Sequence, residues 1–479
     1  MLVIGGGLAG LASAVALAEA DLAVRLLEKR PHLGGRATSY TLPDGSEVDN
    51  CQHVTLGCCT NLADFYRRVG AAESVRFYDR LYFVDRTGRR SMIRASGLPA
   101  PLHMAPSFLG FRSLDFSDKR AIARALLAIA RCGGKPRGIE SMSMLDWLHR
   151  LKQTPGAIER FWRVVLVSAL DEELARTAAR YGIDVFWKGF LANRAGYQIG
   201  IPSVPLAALY GGCRDSIVGR GGSIQLRRGV RDIRLCRGAF ASAVMEDGSE
   251  VAADACIAAV PHTALLGLLP KELGDAGGLL EGLHHIRTSP ITGVHLWFDR
   301  RVMTEPFLTL LDHKTQWIFN KSLLSAPERG EDADEDRLAR GGQYLQLVVS
   351  ASYDLVSRAR QEIIDLCRAE LADVLPATRE ARLERATVIK EISATFSPEP
   401  GVDRFRPAQD FGVKNLFLAG DWTQTGWPST MEGAVRSGYL AAEAALAAFG
   451  RPRRFVQPDL PAEGLSGFWA RPPAADRMD

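Results

Sequence analysis

The sequence predicts an α/β protein: a discontinuous Rossmann-like domain assembled from both ends of the chain, with a mixed α+β domain inserted into it. Three observations carry that reading. A short apolar strand, Leu2-Val3-Ile4, runs into Gly5-x-Gly7-x-x-Gly10 and then into a strong helix former from Leu8 to Ala20. The next strand, Leu22 to Leu27, ends on an acid at Glu28. Near the opposite end of the 479-residue chain, a buried-strand pattern from Asn415 ends on Gly420-Asp421 and leads into a helix from Met431 to Phe449.

Each element has a physical role in binding a dinucleotide. Gly5 permits the tight turn, Gly7 lets the backbone approach a pyrophosphate, and Gly10 lets helix and strand pack closely. The helix N-terminus offers free N–H groups and the positive end of its dipole to phosphates. Glu28 stands where a carboxylate accepts from a ribose 2′-hydroxyl, and it would repel a 2′-phosphate, which argues against NADP. Leu33-Gly34-Gly35-Arg36 follows. Gly35 allows a close turn, and the Arg36 fork can grip the pyrophosphate. Two such blocks at opposite ends describe one site large enough for FAD. Only four residues precede Gly5, so the first strand is short or starts further upstream, and no signal-peptide pattern is visible.

The acid, spacer and Gly-Gly-Arg arrangement resembles the flavin amine oxidase and phytoene desaturase superfamily. Asp49-Asn50-Cys51-Gln52-His53, with Gly57-Cys58 beyond it, resembles the Asp-Asn-Gly-Gln-His motif of hydroxysqualene dehydroxylases, with Cys51 in place of glycine. Further matches are Phe161-Trp162 through Leu170, Pro290-Ile291-Thr292 through Phe298, Gln316-Trp317-Ile318-Phe319, Ala394-Thr395-Phe396, Arg406-Pro407 and the block from Ala419 to Gly438. Asp171 stands where that pattern carries Asn. The resemblance implies a glutathione-reductase-type FAD domain. It also implies that Val230 meets the adenine through its backbone, that Asp421 holds the ribityl chain, and that the N–H groups around Thr430 and Met431 face the flavin. It further implies reductive removal of the hydroxyl of hydroxysqualene to give squalene, in hopanoid-type triterpene synthesis. A carotenoid desaturase or isomerase on the same fold is the alternative, because direction of electron flow is not written in the motifs. An amine oxidase and a non-catalytic isoprenoid carrier are the remaining readings. The first lacks its flavin-linking Cys in the C-terminal block, and the intact Glu28, Arg36 and Asp421 speak against the second.

Loss of hydroxide at neutral pH needs a general acid. His53 is nominated for that role and Gln52 for orienting the hydroxyl or a water, with hydrogen-bonded packing as the equal alternative for His53. Glu432 reads as a first-turn helix acid or a proton donor. The electron-rich lining that a developing cation needs is sought in Trp297, Trp317, Phe319 and Trp427.

Composition narrows the remainder. At 47% hydrophobic and 24% charged the chain is an ordinary globular protein. A net charge of +4 and the absence of any recognisable motif leave nucleic acid out. Eight scattered cysteines without CxxC spacing imply reduced thiols in a cytoplasmic protein and no metal site, with Cys58-Cys59 as packing. No run of eighteen apolar residues is present. The proline-broken apolar stretch Leu98 to Phe111 precedes an amphipathic helix from Lys119 to Cys132, on which Ile122, Leu126 and Ile129 share a face. That unit is either core packing or an entrance dipped into a membrane. Basic clusters at 86–94, 119–131 and 451–454 are solvated surface or contacts with an anionic membrane, so a peripheral place on the inner face of the cytoplasmic membrane is expected. Nothing in the sequence identifies the electron donor.

The expected FAD-binding segments are 1–75, 206–275 and 390–450, the substrate segments 76–205 and 276–389, and 451–479 a loose tail. Ser223–Leu226 and Gly229–Ile233 are expected to pair as strands, Val251 to Pro261 to form one buried strand, 327–341 an exposed loop, and His284-His285 a loop pair.

Overall fold

A computed structural model describes residues 1–43, 45–275, 277–325 and 341–470. The expected loop at 327–341 lies outside the described residues apart from Gly341.

A parallel five-stranded sheet forms the first layer. Its order is Ser223–Leu226, Arg25–Glu28, Leu2–Ile4, Cys256–Ala258 and Leu416–Leu418, so three separate stretches of chain contribute to it. Helix Leu8–Glu19 is buried along nearly its whole length, as its alanine-rich, all-round apolar sequence requires. It packs against helix Met431–Ala448, from the other end of the chain, closely enough that a Cβ on Gly438 would lie 2.2 Å from the Ala9 carbonyl oxygen. A Cβ on Gly10 would lie 1.9 Å from the Gly5 carbonyl oxygen. Both glycines are therefore fixed by backbone contact rather than by turn geometry.

The second domain rests on a seven-stranded sheet. Its order is Leu383–Phe396, Thr288–Phe298, Gln343–Val349, Trp317–Asn320, Phe307–Leu310, Leu81–Val84 and Arg90–Ile93. The pairing is antiparallel except between Phe307–Leu310 and Leu81–Val84. Alternation along the strands sends Leu345, Leu347 and Val349 into a core with helix Arg360–Val374. Tyr344, Gln346 and Val348 therefore take the opposite face, toward the nucleotide-binding layer. Helix Phe116–Arg131 starts on a capping box at Asp115 and Asp118, with Ile122 and Ile129 fully buried.

Several expectations need correction. Ser223–Leu226 pairs with Arg25–Glu28, whereas Val230–Cys236 pairs with Ala239–Met245, so the two do not form a hairpin. The stretch 251–261 divides between Glu250–Ala252, in a small antiparallel sheet, and the buried Cys256–Ala258. Residues 390–396 belong to the long strand Leu383–Phe396 of the second domain. His284 and His285 end a 3-10 turn, Glu281–His285. The stretch 451–470 is not loose. Phe455 is buried beneath Arg68 and Arg453, the Phe455 and Val456 N–H groups donate to Glu443, and helix Gly464–Trp469 docks on Ala100. Proline and arginine content concealed one well-buried aromatic anchor.

Candidate functional site

The dinucleotide half follows from the first loop. Helix Leu8–Glu19 begins at Gly7 with no side chain capping it, so its leading N–H groups are left for a ligand. A Cβ on Gly7 would meet only the Cα of Gly35, at 3.8 Å. Packing within the protein does not demand glycine there, whereas a close ligand does. Glu28 is held by the Gly6 N–H on Oε2 at 2.6 Å and the Arg30 N–H on Oε1 at 2.7 Å. The Arg228 N–H, two residues before Val230, donates to the Glu28 carbonyl at 2.9 Å.

Arg36 and Asp421, from opposite ends of the chain, pair at 2.5 Å, and Arg36 Nη1 donates to the Ala394 carbonyl at 2.7 Å. Burial alone would push the Asp421 carboxyl up; Arg36, the Ser429 hydroxyl and Arg406 outweigh it and hold the carboxyl below its usual range. Gly420 precedes it, and Thr430 caps helix Met431–Ala448 by accepting the Gly433 N–H at 3.0 Å. The buried Trp427 Nε1 has no hydrogen-bond partner among the described residues. An uncapped helix start, a cradle at Gly7, an anchored terminal acid and an orphaned indole N–H fit a bound FAD.

Sequence reasoning missed the residue that shapes this second loop. Arg406, 1% exposed, donates to the carbonyls of Asp421 (3.0 Å), Trp422 (3.3 Å), Thr423 (2.5 Å) and Trp427 (2.9 Å) and to the Thr425 hydroxyl (3.2 Å). Its other nitrogen reaches Asp403 at 3.0 Å and the Tyr181 hydroxyl, and its plane lies over Phe396. The Arg406-Pro407 pair was the signal, read only as a point of resemblance.

A cavity of about 450 Å³ meets this loop at Trp427, Thr430 and Met431. Apolar and aromatic side chains form most of its wall, with Phe161, Phe190, Trp317 and Phe319 among them. Trp317 stacks on Phe319 at 5.7 Å and anchors its indole N–H on the Ser168 hydroxyl at 2.7 Å. Trp297 does not reach the cavity. It lies further along the same sheet face, stacked 4.4 Å from Tyr344 under the Arg385 guanidinium. Gln52 and Val54 line the cavity, and His53, between them, does not, as an extended segment alternates its side chains. His53 Nδ1 lies 3.0 Å from the Cys51 carbonyl oxygen. Burial, with the Arg36 and Lys321 charges adding to it, holds the ring's pKa below its ordinary value. The ring therefore favours its neutral form, and its place off the cavity wall leaves the nomination as the acid without the geometry.

Gln52 is placed by a residue with no sequence signal. Lys321 Nζ donates to Gln52 Oε1 at 3.0 Å and to Asp49 Oδ2 at 2.9 Å, and all three residues are buried. Glu432 caps a helix, but not its own. Its carboxylate accepts the Leu62 N–H at 2.8 Å and the Asn61 N–H and side-chain amide, at the start of helix Thr60–Arg68. Asp171 sits at φ 53° behind helix Val164–Leu170, a left-handed conformation that Asn and Asp share, which accounts for their exchange there. It accepts from the Ala351 N–H (2.7 Å) and the Thr395 hydroxyl (2.9 Å). Cys51 is buried, and burial pushes its thiol up to about 12. Cys58 and Cys59 are unbridged.

The comparisons agree with this geometry. Residues 8–446 match the model of the flavin-containing amine oxidoreductases. The zeta-carotene desaturase of Synechocystis sp. is 26% identical over 93% of this chain and 96% of its own. The 15-cis-phytoene desaturase of Solanum lycopersicum is 26% identical over 93% and 77%. Among solved structures, an oxidoreductase from Methanosarcina mazei superposes with a TM-score of 0.70 at 18% identity, covering 91% of this chain and 98% of that one. Putrescine oxidase bound to putrescine gives 0.68 at 15%, covering 93% and 98%. The sheet built from both chain ends, the two loops at its edge and the family match agree: the chain belongs to the flavin-containing amine oxidoreductase family and is an FAD-dependent oxidoreductase.

Proposed function

We propose that the protein transfers hydride between its flavin and a long, linear, apolar isoprenoid. The observation that carries this reading is the aromatic-walled cavity that ends at Trp427, Thr430 and Met431. Glu28, Arg36, Asp421 and the start of helix Leu8–Glu19 would hold FAD, which would supply a ring that accepts or gives the hydride. The chain itself excludes water with the apolar wall, orients the substrate against Trp317 and Phe319, and presents the fixed Gln52 amide at the reacting end.

Two substrates of this class compete. The names of the relatives support desaturation of a carotene better than any other reaction. Dehydroxylation of hydroxysqualene is favoured by one specific observation: Gln52 of the Gln-His block and the Trp317 and Phe319 side chains of the Gln-Trp-Ile-Phe block line the same cavity. Anaerobic single turnover separates the two. Oxidised enzyme mixed with phytoene or zeta-carotene loses its visible flavin absorbance if it desaturates. Enzyme reduced with dithionite regains that absorbance with hydroxysqualene, matched by squalene, if it dehydroxylates. No spectral change with either class would overturn the proposal.

A membrane supplies such a substrate. Among the described residues no helix is long and apolar enough to cross one, so contact is at most peripheral for the helices seen. Leu102, which lines the cavity, is 46% exposed, and Leu109, Phe116 and Phe468 are exposed around it. Lys119 Nζ ties to the Leu109 carbonyl, and Leu465 ties to Ala100, so these side chains share one surface with Arg120 and Arg124 nearby. A greasy mouth ringed with cations suits an anionic bilayer. The double variant Phe116→Glu, Phe468→Glu is expected to weaken cosedimentation with phosphatidylglycerol vesicles by roughly 10-fold or more, from lost apolar burial and added like charge. Unchanged cosedimentation would remove this surface from consideration.

A further inference from the structure

A second cavity of about 530 Å³ abuts the first, and Cys58, Asp184, Lys188 and Trp427 line both. Its own wall is polar, with Lys135, Glu140, Arg180 and Asp459 on it. The two spaces differ in chemistry: one suits a hydrocarbon and the other suits water and ions. The side chains they share form the boundary between them.

Two carboxyl groups line the apolar cavity, Asp184 and Glu432. Glu432 has both oxygens occupied by N–H donors of Asn61 and Leu62, so it is a fixed acceptor. The Asp184 carboxyl makes no hydrogen bond and no ion pair among the described residues, although it is largely withdrawn from solvent on helix Ala179–Phe186. Its charged neighbours are satisfied elsewhere. Lys188 lies 3.5 Å from Asp459 and 4.5 Å above the Trp427 ring, and Arg180 pairs with Asp403 at 2.6 Å. Burial and the contact with Cys59 push the Cys58 thiol up, and the Arg160 guanidinium stays charged. Asp184 is thus the carboxyl at the flavin-loop end of the cavity with its proton-exchanging atoms uncommitted.

We infer that Asp184 is the proton-exchange residue of the reaction, passing a proton between the substrate in the apolar cavity and water in the polar one. The inference rests on the hydride-transfer reading above. In desaturation, one C–H bond gives its pair to the flavin as hydride, the neighbouring C–H gives its proton to the Asp184 carboxylate, and that bonding pair becomes the new double bond. In dehydroxylation, the protonated Asp184 gives its proton to the hydroxyl, the C–O bond breaks, water leaves, and a hydride from the reduced flavin completes the carbon. Either way the proton balance is restored through the second cavity. Burial pushes the Asp184 carboxyl up. Lys188 and Arg180 oppose that shift, and Asp459 and Asp403 add to it. Its folded pKa therefore lies above the ordinary carboxylate value, and Glu140 and Lys135 line the polar cavity beside it.

The test uses the FAD-loaded protein and its Asp184→Asn variant. Single turnover should fall by about 100-fold or more, the usual contribution of a positioned proton-transfer group, and the pH limb seen in the native protein should vanish. Flavin content and spectrum should be unchanged. Independently of any substrate, infrared difference spectra across a pH series should contain a protonated-carboxyl stretch that is missing from the spectra of Asp184→Asn. Lys188→Met should move that band's titration to higher pH by removing the neighbouring cation. A native rate and pH profile in Asp184→Asn would overturn the inference, and so would carboxyl difference spectra identical in the native protein and the variant. If no isoprenoid turns over with native protein, the functional reading fails, and the infrared band alone decides whether Asp184 carries the exchangeable proton.

Discussion

Arg406→Lys is expected to yield a protein that has lost most of its flavin. The native guanidinium spans the carbonyls of Asp421, Trp422, Thr423 and Trp427 and the Thr425 hydroxyl, the loop that sets Asp421 against Arg36. Five N–H donors in a rigid plane make those bonds together, whereas an ammonium has three donors on a flexible stem. At least two buried carbonyls would be left without a donor, at about 1–3 kcal/mol each. Keeping the charge, as Lys does, separates lost geometry from lost electrostatics. The measurement is flavin stoichiometry of the purified variant beside its thermal unfolding. Full flavin content and an unchanged melting temperature would show that the loop holds its shape without the fork.

The same residue shows how far the sequence could be read. The two loops were legible because glycines and acids at fixed spacing answer to a ligand that does not vary. Gly5 and Gly10 stand where a Cβ would strike backbone, Glu28 ends the second strand beside the first loop, and Arg36 pairs with Asp421. Arg406 and Lys321 act through partners far away in the chain, and Asp184 through the two cavities it borders, so no local spacing reveals them. Glu432 was visible as a first-turn acid, yet the helix it caps starts at residue 60. His53 and Gln52 illustrate a finer limit. Adjacent residues in an extended segment point to opposite sides, and the motif does not say which side is the cavity. Trp297 failed for a similar reason: a strand pattern gives the face of a sheet but not the distance along it. The C-terminal stretch was misjudged because composition averages over residues, and one buried Phe455 is enough to tie it down.

Lys321→Met should cost about 3–5 kcal/mol of stability, because it leaves the Asp49 carboxylate buried without its cation. Asp49 is 3% exposed and Lys321 6%. The pair joins strand Glu47–Asp49 to helix Lys321–Leu324, and Asp49 also accepts from the Ser39 hydroxyl at 2.8 Å and the Leu206 N–H at 3.0 Å. Burial pushes the Asp49 carboxyl up, and Lys321 with those hydrogen bonds more than reverses it, so its folded pKa lies below the ordinary 3.8. A depressed carboxylate stabilises the fold above its unfolded pKa, and that contribution is lost as pH falls through the folded value. Without Lys321 the burial effect is opposed only by two hydrogen bonds. The acid side of the stability curve should then move toward neutral pH, which thermal unfolding across a pH series would show directly. Asp49→Asn combined with Lys321→Met should recover part of the loss, since it removes the stranded charge. Gln52 loses its fixed donor in either case, so single turnover should slow in the double variant even where stability returns. A double variant with restored stability and native turnover would mean that Lys321 serves the fold alone and that Gln52 needs no anchor to meet the substrate.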